Sequence, residues 1–140
     1  MGASLLARTI DDLAAGRAVE KPQDHGAATY APKIEKAEGR VDWTMSARQI
    51  YDRFRGFDPW PGVFVNFRDE ALKLLDIVPV ANPAPGTAPG AIVGIERDAV
   101  LVASVDGSLR ITSAQRPGKG PISGGELARS NNFSIGAIFR

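Results

Sequence analysis

The apolar residues near the start of the chain repeat at the spacing of a helix. Leu6, Ile10 and Leu13 are three or four residues apart, which places them on one face of a helix over residues 3–15. Gly16 follows and predicts the end of this helix, because glycine readily adopts the backbone conformation of a C-terminal cap. The first predicted element is therefore an amphipathic helix.

Charged and polar residues replace that periodicity in the segment after the helix. Pro22 and Pro32 cannot donate backbone hydrogen bonds, and each biases the residue before it toward an extended conformation. The charges of residues 17–40 nearly cancel. Residues 21–40 are therefore predicted to form an extended, solvent-exposed linker.

A second helix is predicted over residues 46–56. Ser46 and Gln49 fit a capping box, in which each side chain bonds to the backbone amide of the other residue. Met45 and Ile50 flank this cap at the spacing of a hydrophobic staple. The apolar stripe of the helix consists of Ala47, Ile50, Phe54 and Phe57.

Short runs rich in Val, Ile and Leu come next, and each predicts a β-strand. They are residues 63–67, 71–80, 91–95, 99–104 and 108–114. Asp106-Gly107 predicts a tight hairpin between the last two runs. Strands of this length and spacing favour a small barrel or an open barrel, so the predicted fold class is mostly β.

Turn signals set the limits of the sheet. Residues 83–90 predict a Pro-Gly loop that lacks the glycine spacing of a phosphate-binding loop. Residues 116–121 predict a break in the sheet. Ser123 and Glu126 fit a second capping box, which starts a short helix that ends near Ser130.

Trp60 is the large aromatic residue whose environment the sequence constrains most. Pro59 and Pro61 restrict the backbone on both sides of it. A side chain of this size contributes mainly by its burial. We therefore predict that Trp60 anchors the core rather than stacking on a nucleic-acid base.

Composition narrows the class of protein without naming a function. A length of 140 residues predicts one domain, or one domain with an appendage, and the net charge of +1 does not indicate a polyanionic partner. The chain has no cysteine, which excludes disulfides, a thiolate nucleophile and cysteine-ligated metals. No targeting signal and no apolar run of ~20 residues is present, so we expect a soluble, non-secreted protein in the cytoplasm that has no membrane partner.

Candidate chemistry is sparse. His25, the single histidine, lies in the predicted linker without a second histidine for a metal site or a recognisable nucleophile. The carboxylates show no spacing typical of a general acid and base. Residues 107–140 hold five basic side chains against one acidic side chain, which is compatible either with nucleic-acid backbone contact or with a solubilising surface. The residues alone therefore indicate a binding or structural module with no metal site.

Four strings of residues occur in an order that is typical of one family. They are Pro22-Gln23-Asp24, residues 28–34, Val41-Asp42-Trp43 and residues 55–62, the last of which reads RGFDPWPG. Over nearly its whole length the chain resembles the linker and C-terminal domain of methionyl-tRNA formyltransferases. The resemblance implies a last catalytic-domain helix over residues 1–20, a linker over 21–40 and an OB-like barrel domain over 41–140.

The resemblance also implies a role in translation initiation. The family transfers a formyl group from 10-formyltetrahydrofolate to methionine on initiator tRNA. Its catalytic residues and folate pocket belong to an upstream domain, so we expect this chain to bind no cofactor and to be inactive alone. His25 and Asp24 occupy linker positions and are not expected to be catalytic.

In the family, the linker and C-terminal domain offer a basic surface to tRNA. The residues that the resemblance assigns to this surface are Lys33, Lys36, Arg40, Arg116 and Lys119. Weaker candidates on the second helix are Arg48, Arg53 and Arg55. Residues 43–140 hold eleven bases and nine acids, so we expect tRNA binding that is weak and that salt abolishes.

Three interpretations remain open at this point. The chain is a tRNA-binding module; or it serves an enzyme, either beside a separate catalytic subunit or as the accessory domain of a sugar-nucleotide formyltransferase; or it is a structural barrel remnant. The apolar face of Leu6, Ile10 and Leu13 bears on the choice, because a catalytic domain, a second copy or the barrel must cover it.

Overall fold

The computed structural model describes residues 2–68, 70–80, 87–130 and 132–140. The chain divides into two compact units, Met1–Pro32 and Lys33–Arg140. The first unit contains helix α1, Gly2–Ala14, and a 3-10 turn at His25–Ala27. Gly16, with a φ of +65°, takes the left-handed conformation predicted after the helix. Within the unit, the apolar face of α1 is exposed; Leu6 is 61% and Leu13 is 63% accessible.

The second unit begins with helical elements. A 3-10 turn spans Lys36–Gly39, helix α2 spans Ala47–Gly56, and helix α3 spans Gly124–Ser130. The predicted cap of α2 is confirmed, because Ser46 Oγ accepts from Gln49 N at 3.0 Å and Gln49 Oε1 accepts from Ser46 N at 3.0 Å. Of the stripe on this helix, the first two residues are buried and the two phenylalanines pack partly buried against the core.

Loss of this cap should measurably lower the stability of the second unit. We expect Ser46→Ala to lower the free energy of unfolding by about 1 kcal/mol, because the amide of Gln49 loses its acceptor. Urea denaturation followed by circular dichroism measures this change. Ser134→Ala, which replaces an exposed serine outside the helices, should stay within about 0.5 kcal/mol of wild type. Equal costs for the two variants would contradict the role of the cap.

The body of the second unit is one antiparallel sheet, and the mostly β fold class is confirmed. Its strands are β1 Val63–Phe67, β2 Glu70–Val80, β3 Ile92–Ile95, β4 Val100–Ala103, β5 Ser108–Gln115 and β6 Pro121–Ser123. They lie in the order β1-β2-β5-β4-β3, with β6 paired to β5. All five predicted strands are present. The hairpin predicted at Asp106-Gly107 is present too, with Ser104 N donating to Gly107 O at 2.9 Å.

One detail of the sheet differs from the prediction. The break predicted at residues 116–121 is present as a turn after β5, but the chain then returns as β6, which begins at Pro121, and Ser113 pairs with Ser123. Pro121 is tolerated there because it is the first residue of a strand at the edge. The loop predicted over residues 83–90 lies mostly outside the described residues.

The last residues of the chain connect the two ends of the sheet. We call residues 136–140 the C-terminal strap. The strap bonds to β1 through reciprocal backbone hydrogen bonds of 2.7 Å between Arg140 and Asn66, and it approaches β3 through Ile92 N to Ala137 O at 2.8 Å. The sheet is therefore open in its strand pairing, while its two outer strands share one covering segment.

The core lies between the sheet, α2 and the C-terminal strap. Phe139 is 2% exposed and packs edge-on against Phe67 and Phe133, with ring centroids 5.4 Å and 5.3 Å away. The tryptophan in this core is Trp43, stacked on Phe139 at 6.2 Å. The prediction that Trp60 anchors the core is wrong, because its side chain is 56% exposed. Within the described ranges, no helix combines the length and apolar content that crossing a bilayer requires.

Candidate nucleic-acid interface

Basic side chains from three separate parts of the second unit meet at one open groove. The groove has a volume of about 480 Å³, and its basic residues are Lys36, Lys73 and Arg116. Its floor consists of Pro61, Gly62, Val63, Phe64, Ala71, Gln115, Pro117 and Gly118. None of the described residues that line it is acidic. We call this surface the basic groove.

Lys36 reaches the groove because its segment is fixed against the turn before β1. Glu38 Oε1 accepts from Glu35 N at 2.6 Å, which caps the 3-10 turn. Arg53 Nη2 donates to Glu38 O at 3.3 Å and so ties this turn to α2. Gly39 packs so closely on Gly62 that a Cβ added to it would lie 2.2 Å from Gly62 O. The predicted linker thus ends in an ordered, partly buried junction.

Lys73 is the groove residue that the sequence analysis did not single out. It lies on β2 between Leu72 and Leu74, which are buried, so the alternation of the strand turns its side chain to solvent. Its aliphatic stem lies across Gly62, whose added Cβ would come within 2.9 Å of Lys73 Cε. The sequence signal for Lys73 was a lysine between two leucines in a predicted strand. Which residues lie beside Lys73 in the folded protein, however, depends on the sheet register.

Arg116 and Lys119 belong to one tight turn after β5. Gly118 has a φ of +68°, and Lys119 N donates to Arg116 O at 3.1 Å, which closes the turn. Arg116 is anchored, because its Nη2 donates to Ser130 Oγ at 2.8 Å and its Nε lies 3.7 Å from a carboxylate oxygen of Glu70. Lys119 is exposed next to the groove lining.

The arginines of α2 make local contacts. Arg48 Nε and Arg55 Nη1 lie 3.0 Å and 3.7 Å from the two carboxylate oxygens of Asp52. Arg53 lies 5.4 Å from the centroid of the Phe57 ring, in addition to its bond to the 3-10 turn. Arg48 and Arg53 do not line the groove, while Arg55 borders an adjoining cavity of about 390 Å³ that also contains Lys73.

The remaining candidates lie outside the groove. Arg40 forms a bridge to Phe64 through its backbone and shares a separate shallow cavity with Arg140. Lys33 is exposed at the start of the second unit and is not among the groove residues. The structure therefore brings Lys36 and Arg116 together, adds Lys73 and places Lys119 beside them.

Arg110 is another basic residue whose charge is neutralised by ion pairs in the folded protein. Arg110 Nε donates to Glu96 Oε2 at 2.8 Å and Arg110 Nη2 to Asp98 Oδ1 at 2.9 Å. The hydrogen bond that Arg110 donates to Glu96 is the main cause that raises the pKa of Arg110. The excess of basic side chains counted over residues 107–140 is thus partly neutralised in the folded protein.

Two other acidic side chains make local hydrogen bonds that stabilise turns. The side-chain hydrogen bond from Thr44 lowers the pKa of Asp42, and the backbone amide of Thr44 adds to this effect. Asp24 caps the first 3-10 turn by accepting from Gly26 N at 2.9 Å, next to exposed His25. Across the described part of the chain, no three His, Cys, Asp or Glu side chains gather as metal ligands would.

Comparisons with known proteins agree with this architecture. Residues 33–132 match the family described as formyl transferase, C-terminal domain. Methionyl-tRNA formyltransferases of Clostridium acetobutylicum and Rhizorhabdus wittichii are 32% and 39% identical to this chain over 99% and 97% of its length. The match covers 44% and 42% of those proteins, so this chain spans less than half of each relative.

A solved structure shares the fold. The structure of HypX from Aquifex aeolicus in complex with tetrahydrofolic acid superposes with a TM-score of 0.60 and 19% identity. The superposition covers 90% of this chain and 22% of the HypX chain. With the family match over most of the second unit, this chain belongs to the formyl transferase C-terminal domain family and is similar to the C-terminal part of methionyl-tRNA formyltransferases.

Proposed function

We propose that this chain is the tRNA-binding part of a methionyl-tRNA formyltransferase. It holds initiator tRNA through the basic groove while a catalytic domain transfers the formyl group from 10-formyltetrahydrofolate to the attached methionine, a step of translation initiation. The relatives' names suggest the substrate, and the observation that carries the proposal is the convergence of Lys36, Lys73 and Arg116 on a groove whose described lining has no acid. The formyl donor is assigned to the catalytic domain.

The two lysine charges of the groove are available to phosphate groups. Lys36 and Lys73 are exposed, and no carboxylate of the described residues forms an ion pair with either side chain. A lysine that neutralises a phosphate releases condensed counterions, so binding should weaken as salt increases. Among the described residues, three basic side chains line the groove, a number that favours weak binding by this chain on its own.

The test is a double variant that removes two of these charges. We expect Lys36→Gln/Lys73→Gln to reduce the slope of log affinity against log salt by about 1.4–1.8, since each phosphate contact contributes roughly 0.7–0.9. Fluorescence anisotropy of labelled initiator tRNA over a series of salt concentrations measures the slope. An elongator tRNA should behave similarly, because phosphate contacts carry no base readout.

A charge-matched control separates the groove from net charge. Arg97→Gln/Arg129→Gln removes the same charge from exposed residues that do not line the groove. We expect its salt slope to stay near wild type. An equal reduction of the salt slope in the two double variants, or tRNA binding that is insensitive to salt, would contradict the proposed function.

A further inference from the structure

Trp60 presents a large aromatic surface to solvent at the rim of the basic groove. Its side chain is 56% exposed, and the next two residues, Pro61 and Gly62, line the groove. The turn that carries it is closed by a hydrogen bond of 2.9 Å from Gly62 N to Phe57 O. Trp60 is therefore joined along the chain to the lining of the groove, and its ring is exposed instead of contributing to the core.

An exposed indole on a restrained backbone is suited to binding a flat ligand. The rings of Pro59 and Pro61 fix the φ angles on both sides of Trp60. A backbone restrained in this way loses little conformational entropy when a partner binds, so more of the contact energy appears as affinity. None of the ring–ring or cation–π contacts among the described residues involves Trp60, and more than half of its surface is accessible.

The combination of a basic groove and an adjacent aromatic ring defines the ligand. Proteins that bind single-stranded nucleic acid hold the phosphates in a positively charged groove and stack the bases on aromatic side chains. We propose that Trp60 stacks on an unpaired base of the RNA whose backbone lies in the basic groove. The inference rests on the proposed function, and it adds an uncharged contact that phosphate binding does not require.

Tryptophan fluorescence gives a direct readout of this contact. The chain has two tryptophans, and Trp43→Phe leaves Trp60 as the only one. This change removes the buried Nε1, which has no hydrogen-bond partner among the described residues, but it also leaves a cavity, so circular dichroism first checks that the variant is folded. We expect single-stranded oligouridylate and initiator tRNA to quench the emission of Trp60. A blunt RNA duplex without unpaired bases should leave the emission unchanged.

Affinity measurements test the same contact without the Trp43 substitution. We expect Trp60→Leu to weaken binding of oligouridylate and tRNA about tenfold, within the range for loss of one stacked base. Binding of the blunt duplex should not change. The salt slope should stay at the wild-type value because indole carries no charge, and Trp60→Phe should recover part of the affinity.

A second exposed aromatic residue supplies the control. Tyr30, which is 90% exposed in the first unit, is changed to leucine, and we expect wild-type affinity. If Trp60→Leu binds every RNA as wild type does while Lys36→Gln/Lys73→Gln binds weakly, stacking is overturned and the proposed function stands. Equal quenching by the blunt duplex also overturns stacking. If no RNA binds at low salt, the proposed function and the stacking contact both fail.

Discussion

Phe139→Ala should lower the free energy of unfolding of the second unit by about 3–5 kcal/mol. The ring is 2% exposed and is surrounded by Phe67, Phe133 and Trp43, so its removal leaves a cavity that rigid aromatic neighbours fill poorly. Urea denaturation measured by circular dichroism gives the free energy, and the emission of Trp43 reports the loss of its stacked partner.

The adjacent residue is a suitable control for this variant. Ile138 lies in the same C-terminal strap, but its side chain is 50% exposed. We expect Ile138→Ala to cost less than about 1 kcal/mol, because little apolar surface returns to water. If the free energies of unfolding of Phe139→Ala and Ile138→Ala differ by less than about 1 kcal/mol, the aromatic cluster does not hold the strap in place.

Gly39→Ala is expected to have the second largest effect, on stability and on RNA binding together. A Cβ there would lie 2.2 Å from Gly62 O, a backbone atom that cannot rotate away. We expect a loss of about 3 kcal/mol, in the upper part of the range for overpacking. The 3-10 turn must separate from the turn before β1, and Lys36 then leaves the basic groove.

The measurements for this variant are thermal unfolding and tRNA anisotropy. Gly56→Ala is the matched control, since a Cβ at Gly56 meets no atom within 4 Å. It should be neutral or slightly stabilising because Gly56 ends helix α2. Normal stability combined with full tRNA affinity in Gly39→Ala would show that the junction does not position Lys36.

The local elements of the fold were predictable because their signals are short-range. The capping box of Ser46 and Gln49 needs only four residues, and the apolar runs over 63–67 and 71–80 are enough to predict those strands. Strand β6 was not predicted, since Pro117 and Pro121 both indicate a break and the pairing partner lies back along the chain. The C-terminal strap was not predicted for the same reason, because its hydrogen bonds go to β1 and β3, which lie far back along the chain.

The candidate site was less predictable than the fold. Lys36 and Arg116 came from the family resemblance, but Lys73 joins them only through the placement of β2 beside the 3-10 turn and the end of β5. The prediction for Trp60 failed for a related reason. Two prolines restrict the backbone path, yet they do not decide whether the ring faces the core or the solvent.

The strap also has a consequence for synthesis on the ribosome. Residues 136–140 leave the exit tunnel after every strand that they bond to, so a shorter nascent chain lacks their hydrogen bonds to Asn66 of β1 and to Ile92 of β3. Unpaired strand edges template association between chains. Until residues 136–140 emerge, neighbouring nascent chains on one polysome would expose these unpaired edge positions to one another.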